Sequence, residues 1–327
     1  MPEPIATIIA RGGPHWLELV PPLGAALAYL ALYIRRFRTL AAEHRAPPRW
    51  RALSFGSAIA LLIAVQVGPM DSLGDQVLAV HMAQHIVIGD ICSLFLVLGL
   101  TGPMVRPLLQ VRLTRPLRKL SHPLVAFALW ALDLYAWHLP LLYQLAIRHD
   151  LVHALEHACL LWFGTLLWLA LIGPLPKPAW FTGWGQVGYI ALVRIVGSIL
   201  GNAMIFAQTI FYPIYRSTDG ARGLSPLSDQ NVAGGLMMVE QMLLTLLLLG
   251  LLFYRLTMRD GERQDLVDFA RLHGVELSEV RARRAALAGT GARLRTRNEE
   301  AESLRDPSRL GPAHSEAGEA GADTSRE

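Results

Sequence analysis

The sequence predicts an all-α fold: a polytopic membrane helix bundle of seven transmembrane helices, N-terminus outside and C-terminus cytoplasmic. Three observations predict it. Of 327 residues, 53 % are hydrophobic and the mean hydropathy is positive, a balance too apolar for an ordinary soluble domain. Seven stretches reach the roughly 20 mostly apolar residues that a bilayer crossing needs. Lys and Arg gather in alternate connections between those stretches, as the positive-inside rule requires.

The stretches run over residues 16–34, 52–69, 77–101, 122–140, 150–173, 185–211 and 230–256. The first follows a start (1–14) that carries Glu3 and Arg11 and lacks an apolar core before a small-residue cleavage site, so it is expected to stay as an anchor. The second closes at Pro69 and the third before Pro103. The fourth has Pro123 in its first turn and ends at Pro140, the fifth ends before Pro174 and the sixth before Pro213. Proline suits a first turn or a loop better than a helix interior, so these positions punctuate the rods. The seventh follows Pro226, with Ser228 or Asp229 as its expected N-cap.

Charge orients the bundle. The first connection carries Arg35, Arg36, Arg38, Arg45, Arg49 and Arg51; the third carries Arg106, Arg112, Arg115, Arg118 and Lys119; Arg255, Arg259 and Arg263 open the tail. The second connection has no basic residue and holds Asp71 and Asp75, while the fourth and sixth hold only Arg148, and Arg216 with Arg222. Residues 1–257, the expected transmembrane domain, hold 18 basic and 12 acidic residues, and 258–327 hold 12 and 14. The basic excess is therefore a topology signal and not a nucleic-acid footprint. The charged cytoplasmic tail (258–327) is expected to be helical over 263–288, where Leu266, Phe269, Leu272 and Val275 keep helical spacing, and disordered beyond. Two cysteines, Cys92 and Cys159, both in apolar runs, exclude a disulfide framework and a Cys-rich zinc module.

Histidine carries the functional signal. It is costly in a bilayer and is kept there mostly to face a partner, a cavity or a ligand. His81 and His85 fall in the first turns of the third span, His138 at the outer end of the fourth, and His153 and His157, below His149, in the first turns of the fifth. The charge-derived topology places all of them in the outer third of the membrane. Each i, i+4 pair occupies one helix face about 6 Å apart along the axis, a spacing that lets two imidazoles share one metal. His81, His85, His138, His153 and His157 are thus the expected metal ligands. Glu156 is a ligand or orients one, and Met82, Met70 and Cys92 offer softer donors. Imidazole with sulfur favours copper, especially Cu(I), while imidazole with carboxylate would also suit zinc or iron.

Other readings of these residues stay open. Heme could sit between His85 and His157. His153-Ala154-Leu155-Glu156-His157 also matches the inverted zinc-peptidase pattern, with Glu156 as general base. Histidines also serve as hydrogen-bonding glue between helices. Asp90, Asp133, Arg194 and Glu240 fall near mid-membrane, with Arg194 and Glu240 at similar depth and suited to pairing; a proton or ion path is the alternative to structural pairing. Met204, Met237, Met238 and Met242 read as packing, and Trp137, Trp162, Trp168, Trp180 and Trp184 as an interfacial belt. Asp229-Gln230 would cap the last helix or close the outer site.

Together, His81-Met82-Ala83-Gln84-His85, Trp137-His138-Leu139-Pro140 with Tyr143, His153-Ala154-Leu155-Glu156-His157 and Ser225-Pro226-Leu227-Ser228-Asp229-Gln230 give a pattern that resembles the bacterial CtaG-type cytochrome c oxidase assembly proteins. The likeness is to the multi-pass kind, not the single-span copper chaperone that shares the name, and it covers about residues 16–257. It implies a non-enzymatic seven-helix protein of the bacterial inner membrane. Such a protein supports maturation of a heme–copper oxidase, at the copper-delivery step. Its partners would be an oxidase subunit, the lipid bilayer and other assembly factors. His81, His85, His138, His153, Glu156, His157, Asp229 and Gln230 sit on the family pattern. Met237-Met238-Val239-Glu240-Gln241 departs from the Met-Trp-x-Pro run of many members, and the long tail is an addition.

Overall fold

Prolines set the breaks between the rods, and glycines set how closely two of them approach. The computed structural model describes residues 16–67, 69–110, 119–217, 223–272 and 296, and among these it contains helices and connections but no strand. Helix α1 (Trp16–Ala42) ends where His44 takes a left-handed φ of 55°, the conformation that commonly follows a helix end. There follow α2 (Arg49–Val67), the short α3 (Pro69–Gly74), α4 (Leu78–Gly99) and α5 (Gly102–Gln110). Next come α6 (Pro123–Trp137), α7 (Pro140–Arg148), α8 (Asp150–Leu171), α9 (Trp184–Phe206) and α10 (Pro226–Leu272). Pro140 cannot continue α6, and α7 leaves it at 70°.

Among the described residues, five helices are long and apolar enough to cross a membrane: α2, α4, α8, α9 and the Pro226–Tyr254 part of α10; the bent α6–α7 pair makes a sixth if counted as one span. The first expected span lies in α1, a 27-residue helix that continues through Arg35, Arg36 and Arg38, and α1 is not among the five. These arginines therefore belong to a helix and not to the connection after it.

Helices α4 and α8 lie at the centre, each with about half of its apolar window buried (50 % and 56 %), against 17 % for α10. Helix α8 packs on α4, α6, α7 and α1, and α2 packs on α4 and α1. The α4–α8 crossing is possible because α8 has glycine there: a Cβ on Gly164 would strike the Gly89 carbonyl oxygen and stand 3.0 Å from Ser93 Oγ, whereas a Cβ on Gly89 would meet Leu160 at an ordinary 3.8 Å. Small residues let helix backbones close in where apolar surface alone gives no drive. At that crossing α4 widens into a π-helical turn, Val87–Cys92. Its Ser93 hydroxyl donates to the Gly89 carbonyl and reaches the Asp90 carbonyl at 3.0 Å.

The two ends of the bundle are tied differently. At one end arginines hold chain carbonyls: Arg51 donates to Leu98 and Leu100 at 2.9 and 2.8 Å, and Arg36 to Pro103 at 2.9 Å. At the other end α2, α6 and α9 finish while α4, α8 and α10 begin, and the histidines lie there. The expectation about tryptophan fails at two positions. Trp168 is 1 % exposed in the enclosed last turns of α8 and Trp137 is buried at the end of α6, so both are core residues, whereas Trp162, Trp180 and Trp184 are exposed as a belt would have them.

The chain divides into two units, 1–249 and 250–327. In the second, the described residues continue α10 to Leu272, with Arg271 and Asp268 3.8 Å apart on its surface. The rest of the expected tail helix, including Val275, lies outside the described residues, as does the expected disorder beyond it.

Gly164→Ala is expected to lower the thermal midpoint of the detergent-solubilised protein, since overpacking costs about 1–3 kcal/mol. Gly188→Ala, where a Cβ meets nothing within 4 Å, is the control and should leave the midpoint unchanged or raised. Equal effects of the two substitutions would disprove the close-crossing argument.

Candidate metal centre

Helix α4 supplies His81 from its first turn and His85 from its second. Helix α8 supplies His153, Glu156 and His157 from the equivalent turns. Because both helices start at the same end, the pairs meet layer by layer: ring centroids are 5.2 Å apart for His81–His153 and 5.5 Å for His85–His157. Within each helix the i, i+4 rings stand 4.3 Å apart. The α6–α7 bend adds His138, whose ring lies 6.0 Å from that of His85. All five histidines are buried, and His81 and Glu156 are 0 % exposed. His149 is outside the cluster: it precedes α8 and is exposed.

Most of the lone pairs in this cluster have no partner. Nδ1 and Nε2 of both His81 and His85, Nε2 of His138, His153 and His157, and both Glu156 oxygens are buried without a hydrogen bond. Glu156 stands 3.9 Å from His81 Nε2 and 3.7 Å from His85 Nε2, beyond hydrogen-bond reach. A buried unpaired polar group costs about 1–3 kcal/mol. Hydrogen-bonded glue would have satisfied these atoms, and it does not. His138 shows how one ring is set: its Nδ1 lies 2.7 Å from the Leu134 carbonyl, so Nδ1–H donates there and Nε2 keeps a free lone pair. A metal-binding histidine is oriented in this way. Two ligand sets have all their donor atoms within 4.8 Å of one another: His81, His85 and His157; and His81, His153 and Glu156.

The softer donors are not brought in equally. Met82 is buried beside the histidine layer, with Tyr143, Met204 and Met237. Cys92 and Met70 instead pack in an apolar cluster with Phe55, Ile59 and Ile88, so neither serves as a sulfur donor at this site.

Asp229 and Gln230 act on neighbouring elements and not as a cap of α10, which begins earlier, at Pro226. The Asp229 carboxylate accepts the N–H groups of Leu78 at 2.7 Å and Ala79 at 3.0 Å, capping α4 from a position 150 residues away. Gln230 accepts the Phe211 N–H at 2.8 Å and donates to Thr209 at 3.2 Å, bracing the segment after α9.

Sequence reasoning assigned no role to a tyrosine shell around the site. Tyr143 and Tyr215 hydroxyls lie 2.9 Å apart; Tyr215 donates to Gly74 at 3.1 Å and Tyr212 to His138 at 2.8 Å. Burial pushes the Tyr212 and Tyr215 phenols up, so both remain donors. Tyr143 stood in the family pattern, and the Tyr212-Pro213-Ile214-Tyr215 run was the sequence signal of the other two. Gln84 was also missed; it donates to Val65 at 2.8 Å and to Asp71 at 3.0 Å.

The family model for the cytochrome c oxidase caa3 assembly factor (Caa3_CtaG) matches residues 28–259 and so takes in every one of these residues. The chain belongs to the caa3 assembly factor family. Two uncharacterised curated proteins, Mb0105 of Mycobacterium bovis and MT0111 of Mycobacterium tuberculosis, are each 26 % identical to it over 234 residues. The match covers 65 % of this chain and 35 % of each relative, so the chain spans about a third of the length of the curated relatives it matches. No solved structure gives a significant match.

In this family member a charged group lies next to the histidines. Arg194 of α9 and Glu240 of α10 form the expected pair at 3.6 Å. With Asp90 and Asp133 they line a cavity of about 50 Å³ that also touches His85 and His138. That is room for one or two waters.

Removing the α4 cap is the cleanest test of how the site is held. Asp229→Ala leaves two buried N–H groups without a partner and is expected to cost about 1.5–3 kcal/mol, the range for hydrogen bonds to a charged group. Thermal unfolding in detergent reads this; a midpoint equal to wild type would show that the cap contributes nothing.

Proposed function

We propose that this caa3 assembly factor is a non-enzymatic copper carrier for a heme–copper cytochrome c oxidase. The ion is cargo: the cluster of His81, His85, His138, His153 and His157 with Glu156 holds it and passes it to an oxidase subunit, alone or with other assembly factors. The observation that carries this reading is the set of buried, unpartnered imidazole and carboxylate atoms converging from three elements. Neutral imidazole is a good but exchangeable ligand, which suits a handover. Met82 beside the layer inclines the set toward copper.

The proposal includes the placement. The protein lies in the bacterial cytoplasmic membrane with seven spans, α1 being the first, and the histidine end faces outward. The N-terminus is outside and the tail cytoplasmic. The arginine-tied end, where Arg36 and Arg51 hold the last turns of α4 and the start of α5, then faces the cytoplasm.

The geometry supports an ion over the alternatives. The adjoining cavity is about 50 Å³, far below the several hundred that pockets for larger ligands occupy, and no room for a porphyrin adjoins His85. Glu156 is enclosed among the rings instead of facing a cleft open to substrate, which favours a ligand or charge-balancing role over that of a peptidase base.

Copper-loaded wild type, His81→Ala/His85→Ala and His153→Ala/His157→Ala proteins should be compared by metal analysis, with oxidase assembly followed in cells. Both double variants should lose most of the copper and impair the oxidase, and no Soret band should accompany the wild type. Unchanged copper and normal oxidase in both variants would overturn the proposal.

A further inference from the structure

We propose that the cluster is two stations in series and not one site, with His81 shared between them. This rests on the copper-carrier reading above. The two ligand sets overlap in one residue only: His81, His153 and Glu156 form one, and His81, His85 and His157 the other. They lie at different depths. His81 and His153 belong to the first turn of their helices, and His85 and His157 to the next, about 6 Å further along the axis.

His81 can serve both. Its two ring nitrogens are both buried and both unpartnered, so the ring can turn one lone pair to the first set and then to the second without breaking a hydrogen bond. Its ring stands 5.2 Å from His153 on one side and 4.3 Å from His85 on the other. Glu156 and His157 are neighbours on α8, so the exchange replaces Glu156 by His157 and His153 by His85 while His81 stays bound. Metal–ligand bonds form and break in pairs, the ion keeps its charge, and no oxidant or reductant is needed.

The donors give the stations different characters. The first offers two imidazoles and a carboxylate, a set that also suits a doubly charged ion; the second offers three imidazoles, with the Glu156 carboxylate 3.7 Å from His85 Nε2 but outside the set. Beside the second, His138 presents a free Nε2, and the cavity that touches His85 and His138 is lined by Met82 and Met237.

Full-length protein in detergent, given less than one equivalent of Cu(II) and frozen, should show two superposed electron paramagnetic resonance signals, one coupled to two nitrogens and one to three. His153→Ala should keep only the three-nitrogen signal and His85→Ala only the two-nitrogen signal. His81→Ala should weaken binding at least tenfold. Glu156→Gln should alter the two-nitrogen signal more than the three-nitrogen one. A single signal in the wild type, or the same spectrum and affinity in His153→Ala and His85→Ala, overturns the two stations while leaving a one-site carrier intact. A wild type that binds no copper overturns both. The wild-type spectrum needs no substitution, so the test holds even if a variant fails to fold.

Discussion

The Asp229 carboxylate, seated on the Leu78 and Ala79 N–H groups, sets the depth of everything around it. A helix start leaves its first N–H groups without partners, and inside a bilayer no water is there to take them. The preceding residue, Val77, has no side-chain oxygen to offer. A carboxylate from α10 therefore caps α4, and its charge also complements the helix dipole. Once α4 is pinned by its end, His81 can only lie on the first turn and His85 on the second. The glycine crossing pins the same helix a second time, lower down, against α8. Two fixed points determine the register between α4 and α8, and that register brings His81 opposite His153 and His85 opposite His157.

The tyrosines and Gln230 complete this frame by binding backbone carbonyls and N–H groups that the breaks after α3, α6 and α9 leave open. The histidine and Glu156 atoms that face the middle stay without hydrogen bonds. The outcome is a rigid polar rim around an unsatisfied centre. In most buried networks the polar atoms satisfy one another; here the satisfied atoms are those that hold the walls, and the unsatisfied ones are those that face the middle.

Much of this was legible in the chain, and for a physical reason. Apolar length, proline placement and the alternation of arginine-rich connections are local properties, so the rods and the end at which the histidines gather could be read directly. The Arg194–Glu240 pairing followed from depth counting along two helices. What could not be read depends on partners far apart in sequence. The α4 cap lies 150 residues away, and nothing near Asp229 distinguishes it from a cap of its own helix. The burial of Trp168 and the apolar surroundings of Cys92 depend on how neighbouring helices pack around α8 and α4. The π-turn has no periodic signature at all, since one wide turn in an apolar run leaves the hydrophobic pattern unchanged.

That π-turn places Asp90 beside the Arg194–Glu240 pair. In a low-dielectric interior an isolated cation is expensive, and its acidic neighbours offset that cost only if they are not already committed. Arg194 faces Glu240 at 3.6 Å, while one oxygen each of Asp90 and Glu240 and both of Glu156 have no hydrogen bond. Under the copper-carrier reading, Glu156 is the carboxyl group closest to the cargo. It lies 3.9 Å from His81 Nε2 and 3.7 Å from His85 Nε2, so its charge offers balance to either ligand set, and Asp90 adds to it across the cavity that touches His85. A carboxylate placed between two sets of neutral ligands keeps the cost of holding the cation similar in both. An ion can then exchange between them without climbing an electrostatic step, which suits a carrier that must release what it holds.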